Sequence, residues 1–361
     1  MTENCKNRVE DNTLREIRQA WGDKLLILGH YYIPDETLAQ TDRQGDSLAL
    51  AKIATASEHC RAIVFCGVHF MAETADILVN SPEKIAARGG LRIPVVLLDP
   101  AAGCPMADMA PLPEMEACWA RLNTLFPVEE ELTPITYVNS SAAAKAFCGR
   151  HGGAVCTSSN AREVLEWAFS QKKRVLFLPD QHLGRNTSLA MGIPANTLVL
   201  WRRDGRTPDE DLRQARVILW EGYCPVHNAM TPALLEQACA AHPTASVMVH
   251  PECCQEVVAR STAAGSTSFL IQRMKETKAG ETVILGTESH LVERLRCEYA
   301  DREVCHLGGP HTCEDMGRNT LVALRLAVEE LNAGRPHNVI EVPEDVAAEA
   351  RRALANMLRL G

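Results

Sequence analysis

The stretch LLILGHYY at residues 25–32 decides the fold, because an apolar run ends abruptly in histidine and tyrosine. The pattern recurs in AIVFCGVHFMAE at residues 62–73 and in VMVHPE at residues 247–252. Short, nearly continuous apolar runs are typical of strands buried on both faces of a parallel sheet. A polar group directly after such a strand lies at the sheet edge where open α/β proteins bind their ligands.

Alternation of strands and helices continues along the chain. Predicted strands lie at residues 25–28, 62–65, 95–98, 135–137, 175–178, 247–249 and 282–285. Helical patterns lie at residues 47–56, 113–125, 160–169, 232–241, 291–298, 319–331 and 344–360. This order predicts an α/β fold with parallel sheets covered by helices on both faces. The charged stretch 202–216 interrupts the pattern and is predicted to be a solvated surface insertion.

Composition narrows the class of protein. The chain has 361 residues, more than one typical core, with 46% hydrophobic residues and a net charge of 37 − 46 = −9. No apolar run reaches the roughly 18 residues of a membrane span, and the acidic balance without a basic run disfavours nucleic acid. The first residues lack an apolar signal core. A cytoplasmic enzyme of small-molecule metabolism is expected.

Cysteine is unusually frequent, with fourteen residues and no Cys-x-x-Cys spacing. Without a secretion signal these are expected to be free thiols, and they could all be small buried hydrophobes. Cys104 and Cys224 each precede a proline, and Cys313 precedes a helical pattern, so these three are predicted to lie on loops. Four others fall within helical patterns and are expected to pack in the core: Cys118, Cys148, Cys239 and Cys297.

Three predicted helix starts are rich in small hydroxyl residues, namely GDS at 45–47, TSSN at 157–160 and GSTS at 265–268. Their side chains could cap the helices. The same geometry binds phosphate or carboxylate through free N–H groups. Both interpretations stay open on the local sequence.

Titratable groups at the strand ends are candidates for proton transfer. His250 and Glu252 flank Pro251, which fixes the backbone between them, and such a pair can exchange protons near neutral pH. Tyr31 and Tyr32 follow His30, and adjacent strand residues face opposite sides, so one of the tyrosines is expected to face the cleft.

These segments together resemble the quinolinate synthase family, with motifs in the same order through almost the whole chain. The matching segments are HYY at 30–32, GDSL at 45–48, GVHFMAE at 67–73, GCPMAD at 103–108, YVNS at 137–140, CTSSN at 156–160, LPD at 178–180, LGR at 183–185, CPVH at 224–227, HPEC at 250–253, GSTS at 265–268, GTE at 286–288 and residues 316–321.

The resemblance implies three αβα three-layer units with parallel sheets, related by a pseudo-threefold axis, with the active site at their junction. The units would be residues 1–104 with 316–361, residues 105–224 and residues 225–315. The resemblance also implies a [4Fe–4S] cluster held by Cys104, Cys224 and Cys313, one from each unit. Three protein ligands on four irons would leave one iron open for chemistry.

The activity implied by the resemblance is condensation of iminoaspartate with dihydroxyacetone phosphate to quinolinate, with loss of phosphate and two waters. No net redox change is needed, so the cluster would act as a Lewis acid. Tyr32, His250 and Glu252 would be catalytic. Substrate-binding residues would be His30, Ser47, Tyr137, Asn139, Ser158, His227, His250 and Thr267. Protein partners would be an iminoaspartate-producing oxidase or dehydrogenase and the iron–sulfur assembly machinery.

Two features depart from the family pattern. Cys254 follows Cys253, where many relatives have proline, and Cys305 precedes Cys313 without close spacing, which leaves Cys305 as an alternative third ligand. Two other functions remain possible: a non-catalytic iron–sulfur sensor, against which Tyr32 and the His250–Glu252 pair argue, and a hydrolytic zinc enzyme, which the lack of close ligand spacing disfavours.

Overall fold

A computed structural model describes residues 12–57 and 59–361 of the chain. In this described part of the chain, three separate sheets carry the fold, with five, five and four strands. All neighbouring strands pair in parallel except the antiparallel pair of Val339–Ile340 with Val95–Leu97 at one edge. Helices follow most of the strands, so the predicted α/β class with three layers is confirmed.

The first sheet contains the strand that ends at His30. In spatial order its strands are Val339–Ile340, Val95–Leu97, Ala62–Cys66, Leu25–His30 and Arg43–Gly45. The helices of this part of the chain are Asn12–Trp21, Asp35–Leu38, Ser47–Ala56, His69–Val79, Pro82–Ala87, Pro105–Asp108 and Leu112–Asn123, with a short 3₁₀ helix at Gly22–Lys24. Five of the six residues of Leu25–His30 are buried, as expected for a strand covered on both faces.

The second sheet is wholly parallel. Its strands, in spatial order, are Ala154–Cys156, Leu132–Tyr137, Arg174–Leu178, Val217–Trp220 and Leu198–Trp201. The accompanying helices are Val128–Glu131, Ala142–Arg150, Ala161–Gln171, Gln181–Ala190 and Asp209–Gln214, with a 3₁₀ helix at Ala195–Thr197. The charged stretch at 202–216 is largely exposed, as predicted, although Leu212 and Thr207 are buried and Arg203 is paired with Glu114 at 2.8 Å.

The third sheet separates two cores. Its strands are Ala263–Ala264, Ser246–Val249, Thr282–Gly286 and Glu303–His306, and its helices are Pro225–Asn228, Pro232–Ala241, Gln255–Arg260, Thr267–Glu276 and Ser289–Glu298. Val283 and Leu285 pack with one core, whereas Ile284 packs with the other. This alternation is the period of a strand with helices on both faces.

Three further helices end the chain, at Glu314–Gly317, Leu321–Asn332 and Glu344–Arg359. The last packs against the helix Ala142–Arg150 of the second sheet. Gly149 makes this approach possible, because a Cβ atom there would come within 1.9 Å of the Glu349 carbonyl oxygen. The first and second sheets share one continuous core.

Candidate active site

Two adjoining cavities open at the carboxyl ends of strands from all three sheets. The smaller has a volume of about 40 Å³ and the larger about 460 Å³. Tyr32, Asn139, Glu252 and Met316 line both cavities and so connect them. The position agrees with the rule that parallel sheets bind ligands beyond the carboxyl ends of their strands.

All thirteen residues that the sequence singled out as site residues line these cavities. The smaller cavity is lined by His30, Tyr32, Ser47, Tyr137, Asn139, Ser158, His250, Glu252 and Thr267. The larger cavity adds His227, Cys104, Cys224 and Cys313. Residues from distant parts of the chain are therefore gathered in one place.

Two histidines at the ends of strands share one local geometry. The backbone N–H of Tyr32 donates to Nδ1 of His30 at 3.2 Å, and that of Glu252 donates to Nδ1 of His250 at 3.3 Å. Nδ1 is therefore the acceptor in each ring, and the proton of the neutral imidazole lies on Nε2. Burial lowers the pKa of His30 to about 4 and that of His250 to about 3. Both rings can thus donate from Nε2 into the site, and His250 does so to the Ser158 hydroxyl at 3.2 Å.

Glu252 is a fully buried carboxylate held by histidines. Its Oε2 lies 2.6 Å from Nδ1 of His227, and the rings of His227 and His250 stack with their centroids 4.6 Å apart. Burial opposes ionisation, but His250 and His227 outweigh it and lower the pKa of Glu252 to about 2. The group is consequently ionised at neutral pH, and its other oxygen, Oε1, is buried with no hydrogen-bond partner among the described residues.

The Tyr32 hydroxyl is fixed from two sides. Thr267 donates to it at 2.9 Å, and Thr287 Oγ1 lies 2.8 Å away. Burial raises the pKa of Tyr32 well above its usual value, so the phenol keeps its proton at neutral pH. The same is true of Tyr137, where burial and the charge of Glu252 both raise the pKa.

At two of the hydroxyl-rich helix starts, the side chain that caps the helix is not the one that faces the smaller cavity. Asp46 accepts from the Ala49 N–H at 3.0 Å, and Ser266 accepts from the Phe269 N–H at 3.3 Å. Ser47 and Thr267, the first residues of these two helices, face the smaller cavity instead. Helix N-termini with free hydroxyls on a cavity wall favour an anionic ligand.

Asp46 joins the three helix starts. Its Oδ2 accepts from the Ser159 hydroxyl at 2.9 Å and from the Ser268 hydroxyl at 2.6 Å. These residues follow strands of the first, second and third sheets respectively. One buried carboxylate thereby fixes the mutual positions of all three sheets at the floor of the site.

The three loop cysteines have the same local structure. Cys104, Cys224 and Cys313 each precede a helix of four residues, with extended backbone at the cysteine itself. In each, a backbone N–H three residues later hydrogen-bonds the sulfur and favours the thiolate, namely that of Ala107, His227 and Met316. Burial nevertheless raises the pKa to about 12 for Cys104 and about 11 for Cys313.

The cysteine loops are also held to one another. The Gly103 N–H donates to Asp315 Oδ1 at 3.0 Å, which joins the loops of Cys104 and Cys313. Glu288 accepts from the Cys313 N–H at 3.2 Å. Three thiols on one cavity wall, each with a backbone N–H aimed at its sulfur, are a donor set that suits an iron–sulfur cluster. A metal centre bound to these sulfurs would lower their pKa values and favour the thiolates.

The other cysteines lie elsewhere. Cys118 and Cys148 are buried in the shared core, and Cys239 packs on the third sheet, as predicted. Cys305 does not line either cavity, so the alternative third ligand is not brought to the site. Cys297 is disulfide-bonded, which the expectation of free thiols did not include.

Sequence reasoning missed four residues that position the site. Asp46, Thr287 and Glu288 were included in segments that match the family, but no role was assigned to them. Lys145 gave no signal at all, although its fully buried ammonium group donates to the Ser140 carbonyl beside Asn139. A buried lysine is rare enough to suggest a role in holding this loop.

Within residues 12–57 and 59–361, no helix has both the length and the apolar character needed to cross a membrane.

Comparison with known proteins identifies the family. The fold and the gathered polar side chains define the chain as an α/β enzyme whose site lies between parallel sheets. A family model described as Quinolinate synthetase A protein matches residues 12–359. A quinolinate synthase of Rhodopirellula baltica is 47% identical over 98% of this chain and 91% of its own length. A quinolinate synthase of Bacillus cereus strain Q1 is 44% identical over 99% of this chain and 93% of its own length. The chain belongs to the quinolinate synthetase A protein family.

Proposed function

We propose that this chain makes quinolinate for NAD biosynthesis by condensing iminoaspartate with dihydroxyacetone phosphate, releasing phosphate and two waters. The observation that carries the proposal is the meeting of three cysteines and ten polar or aromatic side chains around two connected cavities. The names of the relatives support the product, and the chemistry of the lining residues supports the substrates.

Anion binding is assigned to the smaller cavity. Ser47, Ser158 and Thr267 offer hydroxyl groups beside helix starts, and His30 and His250 offer neutral Nε2–H donors. Both substrates carry carboxylate or phosphate groups, which such donors bind. Asn139 Oδ1 and Glu252 Oε1 are buried without partners among the described residues, so a bound substrate could satisfy both.

Proton transfers are assigned to Tyr32, His250 and Glu252. Tyr32 keeps its proton at neutral pH, so it has a proton to donate to a leaving hydroxyl group. Glu252 is ionised and can accept a proton during enolisation or dehydration, with His227 hydrogen-bonded to its Oε2 at 2.6 Å. His250 donates to Ser158 and stacks on His227, whose Nδ1 contacts the Glu252 carboxylate, so the ring connects the smaller cavity with this pair.

Cys104, Cys224 and Cys313 would hold a [4Fe–4S] cluster in the larger cavity. When bound, such a cluster supplies a Lewis-acidic iron that makes hydroxide a better leaving group. The chain's own residues would protect it: Val68, Phe70 and Met106 contribute apolar walls to that cavity. We also propose the division into three αβα units, residues 1–104 with 316–361, 105–224 and 225–315. The partners proposed are an enzyme that supplies iminoaspartate and the iron–sulfur assembly machinery.

A zinc enzyme is the second candidate, because one specific observation favours it. Donor atoms of Cys224, His227 and Glu252 lie within 4.8 Å of one another and could bind a single ion. Zinc accepts this ligand type. The 2.6 Å contact between His227 and Glu252 opposes it, since the carboxylate oxygen is already engaged.

Anaerobic purification followed by two measurements tests the proposal. We expect about four irons and four sulfides per chain, as the cluster type requires, and formation of quinolinate from the two substrates. A full cluster without quinolinate formation would favour the sensor, and zinc without sulfide would favour the second candidate. Either result would refute the proposed function.

A further inference from the structure

A second group of metal-binding side chains lies on the third sheet, outside the cavities of the candidate active site. His242 follows the helix Pro232–Ala241, and Glu303 and Cys305 belong to the edge strand Glu303–His306. Residues two apart on a strand point to the same face. One donor atom from each of the three side chains lies within 4.8 Å of the others.

The distances suit a single ion. Cys305 Sγ lies 3.7 Å from His242 Nε2, close to the roughly 3.5 Å between sulfur and nitrogen ligands of tetrahedral zinc. Glu303 Oε2 lies 3.4 Å from His242 Nδ1 and accepts from the Thr282 hydroxyl at 2.8 Å. Because the Glu303 side chain is 57% exposed, its carboxylate has room to turn towards an ion on the Nε2 side.

The same three residues in this order could also form an activated nucleophile, with His242 as base and Glu303 orienting it. Burial raises the pKa of Cys305, and the charge of Glu303 raises it further. The thiol therefore stays protonated at neutral pH and is a poor nucleophile. A divalent cation removes this obstacle, because it displaces the proton to solvent as the sulfur binds.

We propose that Cys305, His242 and Glu303 form a second metal site, selective for a borderline-soft divalent cation such as zinc, with water as the fourth ligand. Sulfur and imidazole together favour zinc over magnesium or calcium, which prefer oxygen. The ion would connect the edge strand of the third sheet to the C-terminal end of the helix Pro232–Ala241 by binding side chains from both. It would stabilise that sheet by binding only the folded arrangement.

The test uses the anaerobically prepared full-length holoenzyme and cobalt(II) as a spectroscopic probe. One equivalent of cobalt should give a thiolate-to-metal absorption band in difference spectra, and zinc should displace it. Cys305→Ser should abolish the band, and His242→Gln should weaken cobalt binding at least about tenfold. Cys239→Ser is the matched control, since Cys239 packs against the same core and is not part of this group of three donors, and it should keep the band.

Iron content, measured in parallel, should be the same in all variants, which separates this site from the proposed cluster. A band that survives in Cys305→Ser, or the lack of any band in the wild type, would overturn the proposal. The alternative is checked by alkylation. Zinc should protect Cys305 from iodoacetamide, and rapid alkylation that zinc does not slow would instead identify a nucleophile and refute the metal site.

Discussion

The hydroxyl of Ser268 donates a hydrogen bond of 2.6 Å to the Asp46 carboxylate, across a sequence separation of 222 residues. The same carboxylate oxygen accepts from Ser159, on the second sheet. Since hydrogen bonds to a charged group contribute about 1.5–3 kcal/mol each, Asp46 is a substantial connection between the sheets. These hydrogen bonds join side chains of the protein itself and therefore form without a ligand.

The substitution Asp46→Asn should distinguish the stability contributed by the hydrogen bonds from Ser159 and Ser268 from that contributed by helix capping. Asparagine caps a helix as well as aspartate does, so the loss should come from the two hydroxyl contacts. We expect the free energy of unfolding to fall by about 1.5–3 kcal/mol in urea titrations. Ser141→Ala, which removes a simple cap, should cost about 1 kcal/mol. A double-mutant cycle with Ser268→Ala that gives no coupling energy would contradict the assignment.

Glu252→Gln tests proton transfer, because glutamine keeps the shape but cannot accept a proton at neutral pH. We expect turnover to fall by roughly 10²–10⁴, with iron content unchanged, in anaerobic steady-state and single-turnover assays. The exposed Glu256, four residues further on, provides the control substitution Glu256→Gln. Nearly normal turnover in Glu252→Gln with full iron content would leave Tyr32 and His250 as the remaining candidates.

Tyr32→Phe removes the hydroxyl held by Thr267 and Thr287 and leaves the ring. Turnover should fall by roughly 10²–10⁴ if this phenol protonates a leaving group. Tyr31→Phe is the matched control, because Tyr31 lines neither cavity. Equal turnover of the two variants in the same assay would exclude a catalytic role for Tyr32.

Single alanine substitutions of Cys104, Cys224 and Cys313 should each remove most of the iron, since each would supply one cluster ligand. Cys118→Ala and Cys239→Ala should keep it, as should Cys305→Ala. Iron and sulfide analysis of anaerobic protein distinguishes the two groups. Full iron retention in any variant of the first group would remove that cysteine from the ligand set.

The lowered pKa of His30 predicts that the stability of the protein depends on pH. Its pKa falls from 6.5 in the unfolded chain to about 4 in the folded protein, so only the unfolded chain is protonated between these values. Stability is therefore unaffected above pH 6.5 and declines towards pH 4, by up to about 1.4 kcal/mol per pH unit. Urea midpoints at about pH 7 and about pH 5 should differ less in His30→Gln. The exposed His59→Gln should retain the full difference.

Much of this arrangement could be predicted from sequence, because a polar residue directly after a continuous apolar run marks the end of a buried strand. His30 and His250 follow continuous apolar runs, and the fold rule for parallel sheets places such residues beside ligands. Helices at Ser47–Ala56 and Pro232–Ala241 lie where their patterns indicated. All seven predicted strands are present.

The sequence could not predict contacts that depend on how the sheets meet. Nothing around Asp46 indicates that it reaches beyond its own helix to Ser159 and Ser268. Short strands such as Ala154–Cys156 and Ala263–Ala264 were missed, since two or three residues carry no detectable period. Lys145 was missed because its burial is a property of the packed structure.

The long sequence separations within the site have a consequence for the timing of its formation. Tyr32 contacts Thr287 across 255 residues, and the three cysteines of the larger cavity span residues 104 to 313. Contacts this distant form late, since the cost of loop closure precedes their gain. A chain still being synthesised can pair the four strands of the first sheet between Leu25 and Leu97 while it lacks every group contributed by the third sheet, and the edge strand Val339–Ile340 is added only afterwards. The complete site therefore requires residues from His30 to Met316, so a nascent chain that ends before Met316 lacks part of it.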